Sequence, residues 1–450
     1  MIGLKLSWRY FWKRRISILA VAAVALCVFI VVVVMSVMNG LVQEFKEKNH
    51  RFVGDCVIYS PSLTGFPYAN DFIEQLEAQP FVAEMSETVE GTGLMTSPGS
   101  SWNVGVDYMG IDPVRHSRVT SFASTLRYHK DNPKDAFEPP YLQQIDGCVM
   151  GIDLILSRRS DTGQYDEPET PWPLRITLSS FPLNPKGGLA RAGVDVVSTK
   201  TFAYSDHAHS GLVKPDGRLI YLPLEQARVL SGMDAPVVRS SAIHIRFADG
   251  LSVEAETEKV RTLWQAYVKS LASQPYAELL SAVNVQTWQQ NRREFIGPME
   301  KEQLMLMLLF LMLGIVTIFI IFVVFYMIIG HKTRDLGVLK SIGMPTPSVA
   351  AVFLGFAAIV GLIGSIIGMA TGCLFLWRIN AMENWLYDHY GWRIWDRSIY
   401  AIDQIPNTIE WPLLAVVAGC AVAACLFGAI VPSIQAAIKS PVRVLQVSQL

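Results

Sequence analysis

The chain has 450 residues, of which 51% are hydrophobic and only 17% charged, and its net charge is −1. Soluble domains carry about 25% charged residues, so much of this chain is not an ordinary soluble protein. The balanced charge excludes a basic nucleic-acid footprint, and the length accommodates a membrane part beside a separate soluble domain.

Residues 1–15 form a basic N-terminal segment with Lys5, Arg9, Lys13, Arg14 and Arg15, and an aromatic collar at Trp8 and Tyr10. The apolar run 16–38 is long enough to cross a bilayer, which takes about 20 residues. It exceeds the roughly 7–15-residue core of a signal peptide, and Met38-Asn39-Gly40-Leu41 does not suggest cleavage, so it reads as an uncleaved anchor. Three further spans are expected at 304–329, 349–377 and 411–431. Positive charge clusters before the first span, between the second and third (Lys332, Arg334, Lys340) and after the fourth (Lys439, Arg443). Four spans place all three clusters on one side, the cytoplasm. Residues 39–303 and the loop 378–410 then lie outside, with 330–348 and the tail 432–450 inside.

The outside region alternates strand-like and helix-like stretches. Strands are expected at 53–59, 102–106, 174–178, 194–198, 218–222 and 242–247, and helices at 71–78, 224–230 and 252–271. Residues 158–173 are polar and proline-rich, as loops are. The fold class is therefore an α-helical membrane domain of four spans, with an α+β extracytoplasmic domain inserted between the first and second.

The most informative stretch lies between the second and third spans. Leu336, Leu339 and Ile342 recur every three residues and share one helical face. Asp335 and Lys340 suit the helix dipole, Gly343 can cap the end, and Pro345 and Pro347 forbid continuation. This is a short amphipathic helix between two spans: an interfacial elbow, or a device that passes force from a soluble partner. In the third span, Gly361, Gly364, Gly368 and Gly372 form a close-packing stripe for helix contact.

Little here promises local chemistry. There is no G-x-x-x-x-G-K-[ST] run, so a phosphate-binding loop of that kind is absent. Asp206-His207-Ala208-His209 offers two histidines without a ligand framework, and no metal is assigned. Cys27, Cys373, Cys420 and Cys425 lie in spans, whereas Cys56 and Cys148 lie outside, where they are able to pair only if their geometry allows. No catalytic residues are assigned, since no Ser/His/Asp or Cys/His motif stands out.

Lys332-Thr333-Arg334-Asp335-Leu336-Gly337-Val338-Leu339-Lys340-Ser341-Ile342-Gly343 resembles the coupling-helix signature of ABC-transporter permeases of the FtsX/MacB superfamily. Ser36-Val37-Met38-Asn39-Gly40 and Trp288 through Lys301 resemble the LolC/LolE branch, as do Tyr221 through Ala227 and Tyr400 through Pro406. The ending Pro432 through Leu445 is similar to the superfamily's C-terminal pattern. In the second span, Thr317-Ile318-Phe319-Ile320 departs from the Ala-Phe-Asn segment that the family often has there.

The resemblance implies a multi-pass permease of the bacterial inner membrane, with a porter-like periplasmic core and an inserted β-rich lobe at about 140–220. Arg334, Asp335, Leu336, Leu339, Lys340, Ile342 and Gly343 would dock a cytoplasmic ATPase, present in two copies, that carries the ATP and Mg; this chain itself would hold no cofactor. A second permease, the same or related, would complete the assembly. Met35, Met38, Phe310 and Met312 are assigned to a cavity for membrane lipid and an acylated lipoprotein, because methionine adapts to irregular apolar shapes. The Met-rich second span equally suits plain lipid contact. Pro182, Pro185, Lys186 and Arg191 belong to a loop that would hook a periplasmic lipoprotein chaperone, or form an ordinary surface turn. The alternatives are a MacB-like exporter or lipid transporter, and an FtsX-like regulator of a cell-wall hydrolase.

Overall fold

A computed structural model describes residues 15–98, 103–142, 144–159, 164–190, 196–331, 344–392, 395 and 404–438. Helix α1 (Arg15–Val53) leads into β1 (Cys56–Tyr59), β2 (Phe66–Pro67), α2 (Ala69–Glu77), β3 (Val82–Thr96) and β4 (Asn103–Ile111). There follow β5 (Gly147–Gly151), β6 (Arg175–Ser180), β7 (Ser198–Ala208) and β8 (Leu219–Pro223). Next come α3 (Leu224–Ser231), β9 (Arg239–Ser240), β10 (Ala242–Phe247), α4 (Val253–Ser270) and β11 (Asn284–Thr287). Three long helices come after them, α5 (Arg293–His331), α6 (Thr346–Tyr390) and α7 (Trp411–Ile438). The chain separates into two compact units, one built on the long apolar helices and one on Glu44–Gly297, with the divisions falling inside α1 and α5.

Helices α1, α5, α6 and α7 are each long and apolar enough to cross a membrane. Lipid offers no hydrophobic incentive for helices to associate, so close packing has to hold them. The glycines of α6 supply it. A Cβ on Gly364 would sit 2.8 Å from Val24, and one on Gly368 would sit 2.6 Å from the carbonyl oxygen of Ala25. Gly372 faces Val32 in the same row, while Gly361 meets Val422 and Cys425 of α7. Thus α6 is wedged between α1 and α7 through one stripe of missing side chains. Helix α5 joins through Thr317, Ile321, Val324, Phe325 and Ile328, whose spacing defines one helical face. Phe325 meets Phe356 of α6 with ring centroids 5.4 Å apart.

The α+β unit carries a nine-stranded sheet in the order β11-β1-β10-β3-β4-β8-β5-β7-β6, and β6 pairs again with β3. That second pairing closes β3, β4, β8, β5, β7 and β6 into a ring. Strand β3 serves both parts: Val82–Thr88 pair with β10, Thr88–Thr96 with β4, and Leu94–Thr96 with β6. The two largest cores of the unit are separate. Phe66, Phe72, Ile58, Ile245 and Trp264 fill the one under α2 and α4, whereas Met95, Tyr108, Met150, Phe202 and Ile220 fill the ring. The β-rich lobe is therefore wider than the expected 140–220, because β3 and β4 contribute two of its walls. Strand β7 starts at Ser198, where the expected strand at 194–198 ends.

Between its β10 and β6 pairings, β3 lacks a strand neighbour on one side. Unpaired buried backbone groups are costly, and side chains fill the gap. The Ser241 amide donates to Thr88 O (2.9 Å), the Glu90 amide donates to Ser241 Oγ (2.8 Å), and Ser180 Oγ donates to Thr92 O (3.0 Å). Gly91 has no side chain because Tyr108 occupies that space; a Cβ there would lie 2.3 Å from the phenol.

Two histidines are buried where α1 ends. His244 Nδ1 pairs with Val53 O at 2.8 Å, and His116 Nδ1 lies 3.2 Å from Ser86 Oγ, with the rings edge to face at 5.6 Å. Burial pushes the His244 imidazole down to about 4 and the His116 imidazole well below its usual value. Both are thus neutral in the folded state while the unfolded chain protonates near pH 6.5, so stability rises with pH between about 4 and 6.5.

Two outcomes follow from this packing. Gly368→Ala should destabilise the full chain by about 1–3 kcal/mol through overpacking. Gly314→Ala, whose Cβ meets nothing within 4 Å, should leave stability unchanged or raised. Thermal unfolding in detergent compares the two, and equal midpoints would refute the glycine account. Acidifying from pH 7 to pH 5 should remove about 2 kcal/mol through His244 alone. His244→Gln, which keeps a donor for Val53, should flatten that part of the pH profile, and an unchanged slope would exclude His244 as its source.

Candidate functional site

The structure distributes the sequence-assigned residues over three places. Arg334, Asp335, Leu336, Leu339, Lys340, Ile342 and Gly343 lie outside the described residues. What is described are their flanks: α5 runs to His331, and α6 starts at Thr346 behind Pro345.

In the helical unit, Met38 is buried on α1 and Met35 half-buried, whereas on α5 Phe310 is half-buried and Met312 is 63% exposed. The α5 pattern is uneven. No residue from Leu304 to Val316 is buried, although the same helix buries a full face from Thr317 onward. Immediately before this stretch, Gln303 Nε2 donates to Asn39 Oδ1 of α1 at 2.7 Å. Next to Asn39, Gly40 lies against Pro406, where a Cβ would come within 2.6 Å. Asn380 of α6 grips the same loop, donating to Ile405 O (3.1 Å) and accepting from its amide (2.9 Å). Asn39 stood in the Ser36–Gly40 stretch of the sequence analysis, whereas its partner Gln303 and Asn380 were not singled out. Their signal was a carboxamide next to or beyond a long apolar run, where polar side chains default to function.

In the α+β unit, the loop after β6 is highly ordered by its own bonds. Asn184 Oδ1 accepts from the amides of Lys186 (2.9 Å) and Gly188 (3.1 Å), while the Asn184 amide donates to Gly188 O (2.8 Å). Leu183 faces Leu189 across an antiparallel bridge. Pro182 and Pro185 turn out to be buried, so they brace the loop and are not offered to a partner. Lys186 is exposed, as are Phe181 (63%) and Leu189 (49%), and Arg191 lies outside the described residues.

The remaining polar candidates have structural work. The Asp206 carboxylate accepts from the amides of Tyr128 (3.1 Å), His129 (2.9 Å) and His207 (2.7 Å), and from His129 Nδ1 at 3.0 Å. His207 Nδ1 is held by Tyr204 Oη at 2.7 Å, and its Nε2 is buried without a partner. Among the described residues no group of three or more His, Cys, Asp or Glu side chains is placed to hold a metal ion. Cys56 sits in the core under α2 and Cys148 inside the ring, and both are free thiols. Burial pushes the Cys56 thiol up to about 12, and the Cys148 thiol upward too, so neither is a ready nucleophile.

Comparison with known proteins adds to this geometry. Residues 307–441 match the family model of the FtsX-like permease C-terminal domain. The chain is 22% identical to the lipoprotein-releasing system transmembrane protein LolC of Neisseria meningitidis serogroup B, over 96% of this chain and 94% of that protein. It is 20% identical to the lipoprotein-releasing system transmembrane protein LolE of Haemophilus influenzae, over 98% of both. Among solved structures, the periplasmic region of MacB from Actinobacillus actinomycetemcomitans is 12% identical, with a TM-score of 0.30, over 55% of this chain and 95% of that one. Residues 307–441 thus carry the likeness to an FtsX-like permease C-terminal domain, and nearly the whole chain is similar to LolC and LolE.

Proposed function

We propose that this permease belongs to a lipoprotein-releasing transporter, which draws lipid-anchored proteins from the outer leaflet of the bacterial inner membrane. The observation that carries the reading is the extent of the likeness to LolC and LolE, 96% and 98% of this chain. In this reading α1, α5, α6 and α7 cross the inner membrane. The α+β unit, which lies in the chain between the first two of them, stands in the periplasm. The work required is physical. Each buried CH₂ of an acyl chain contributes about 0.8 kcal/mol, so a multiply acylated anchor does not leave the bilayer unaided.

The apolar stretch Leu304–Val316 of α5, unburied within its unit, supports a wall for acyl chains. Met35 and Met38 on α1, with Phe310 and Met312 on α5, are the residues we assign to it. A second permease, the same chain or a related one, would close the cavity. The exposed part of the loop at 181–191, with Phe181, Lys186 and Leu189, would meet a soluble lipoprotein chaperone.

ATP and Mg would be held by a separate cytoplasmic ATPase, two copies of which would dock on the segment 332–343 of the two permeases. Leu336, Leu339 and Ile342 would fill a groove on it, with Arg334, Asp335 and Lys340 at the rim. ATP binding would draw two such helices together and pass the motion into the spans.

Leu339→Asp should cut lipoprotein-stimulated ATP hydrolysis by more than about tenfold, as loss of a central interface anchor does, with no change in the melting of the periplasmic unit. Wild-type release of lipoprotein by that variant would refute the docking assignment. Mass spectrometry of proteins co-purified with the full chain in mild detergent, without ATP, should recover an ATPase and acylated lipoproteins. Recovery of an ATPase with a cell-wall hydrolase and no lipoprotein would overturn the release function.

A further inference from the structure

Arg239 is the largest side chain that is fully buried, at 0% exposure, and it forms no ion pair among the described residues. Burial pulls the guanidinium below its usual value, and the nearby Asp234 carboxylate opposes that shift. Its guanidinium instead donates to three backbone carbonyls from three separate loops. Nη1 donates to Thr64 O at 2.6 Å, and Nη2 donates to Leu183 O at 3.0 Å and to Gly232 O. The backbone of Arg239 is fixed independently, through the β2–β9 ladder opposite Pro67 and through its amide to Met233 O at 2.9 Å.

A buried guanidinium answered only by carbonyls is an unusual means of gaining stability, since an apolar side chain of like volume often serves a fold as well. What the fork does that no apolar residue does is set three loops in register, because its donors are planar and fixed in direction. One of the three is the loop of Phe181, Lys186 and Leu189. Its base has two outside anchors at Leu183: the amide donates to Ser231 O at 3.0 Å, and the carbonyl accepts from Arg239. Beyond Leu183 the loop is closed on itself by Asn184, so the orientation of its exposed tip is inherited from Leu183.

We propose that Arg239 is a positioning residue for partner docking: it holds the 181–190 loop in the shape it presents, so that the partner does not have to order the loop on binding. This rests on the reading of that loop as the docking element. Preorganisation of this kind raises affinity without adding a contact to the partner.

The test uses the full-length chain in nanodiscs and the purified periplasmic lipoprotein chaperone of the same bacterium as probe. In Arg239→Met, hydrogen exchange across residues 183–190 should speed up by about tenfold or more, with β1 and β10 unchanged, and affinity for the chaperone should fall by about tenfold. Arg239→Lys keeps the charge but not the fork, and should lie between wild type and Arg239→Met on both readouts. Phe181→Asp, at the exposed edge, should weaken binding with loop exchange unchanged. Unchanged loop exchange in Arg239→Met overturns the proposal, and so does faster exchange across the whole unit, which marks a merely structural residue. A looser loop with undiminished binding, while Phe181→Asp does weaken binding, overturns it as well. If neither variant alters binding although the loop loosens, the docking reading itself falls, and only the hold of Arg239 on the loop survives.

Discussion

A β-strand cannot leave its backbone amides and carbonyls unpaired inside a protein, and β3 meets this demand with two different neighbours on one side. Its first half belongs to a sheet covered by helices, its second half to a ring closed through β6. The changeover is bridged by Ser241 and Ser180 and made possible by the absent side chain of Gly91. Everything else in the α+β unit depends on it. The two cores are distinct because the strand turns from one to the other. Cys56 and Cys148 stay apart because each belongs to its own core.

The helical unit obeys a different constraint. Water exclusion does not sort helices that are already in lipid, so backbone proximity and a few hydrogen bonds must. The α6 stripe provides the proximity on two sides, toward α1 and α7. Asn39 with Gln303, and Asn380 with Ile405, provide the bonds. Helix α5 receives less of either. It is tied at Gln303 and again from Thr317 onward, and between these points no residue is buried, though Phe310 and Leu313 are partly covered. That apolar stretch is where the proposed wall for acyl chains is placed.

The polar interior of the α+β unit is equally purposeful. Arg228 pairs with Glu87 and Glu225, and Ser240 donates to the same Glu87, next to Arg239 and its three carbonyls. These groups tie α3, β3 and β9 to the loops around them. Such a seam fixes one arrangement among many that would bury as much apolar area, because hydrogen bonds are directional and burial is not.

What the sequence by itself determined is what depends on neighbours along the chain. The long apolar runs, the glycine spacing of α6 and the limits of β10 and α4 were legible because hydropathy and helical or strand periodicity are local. The Lys332–Gly343 motif was legible for the same reason, as a contiguous pattern, and it lies outside the described residues. Strand β3 escaped notice: Glu84, Glu87 and Glu90 interrupt its alternation, and its buried residues fall on both faces. The ring, the burial of Pro182 and Pro185 and the role of Arg239 were decided only in three dimensions. Each depends on which distant segment arrives beside it. Leu183 and Arg239 are 56 residues apart, and Ser180 and Thr92 are 88 apart. No local pattern records such a pairing, because closing the sheet through β6 is a property of the whole unit's register.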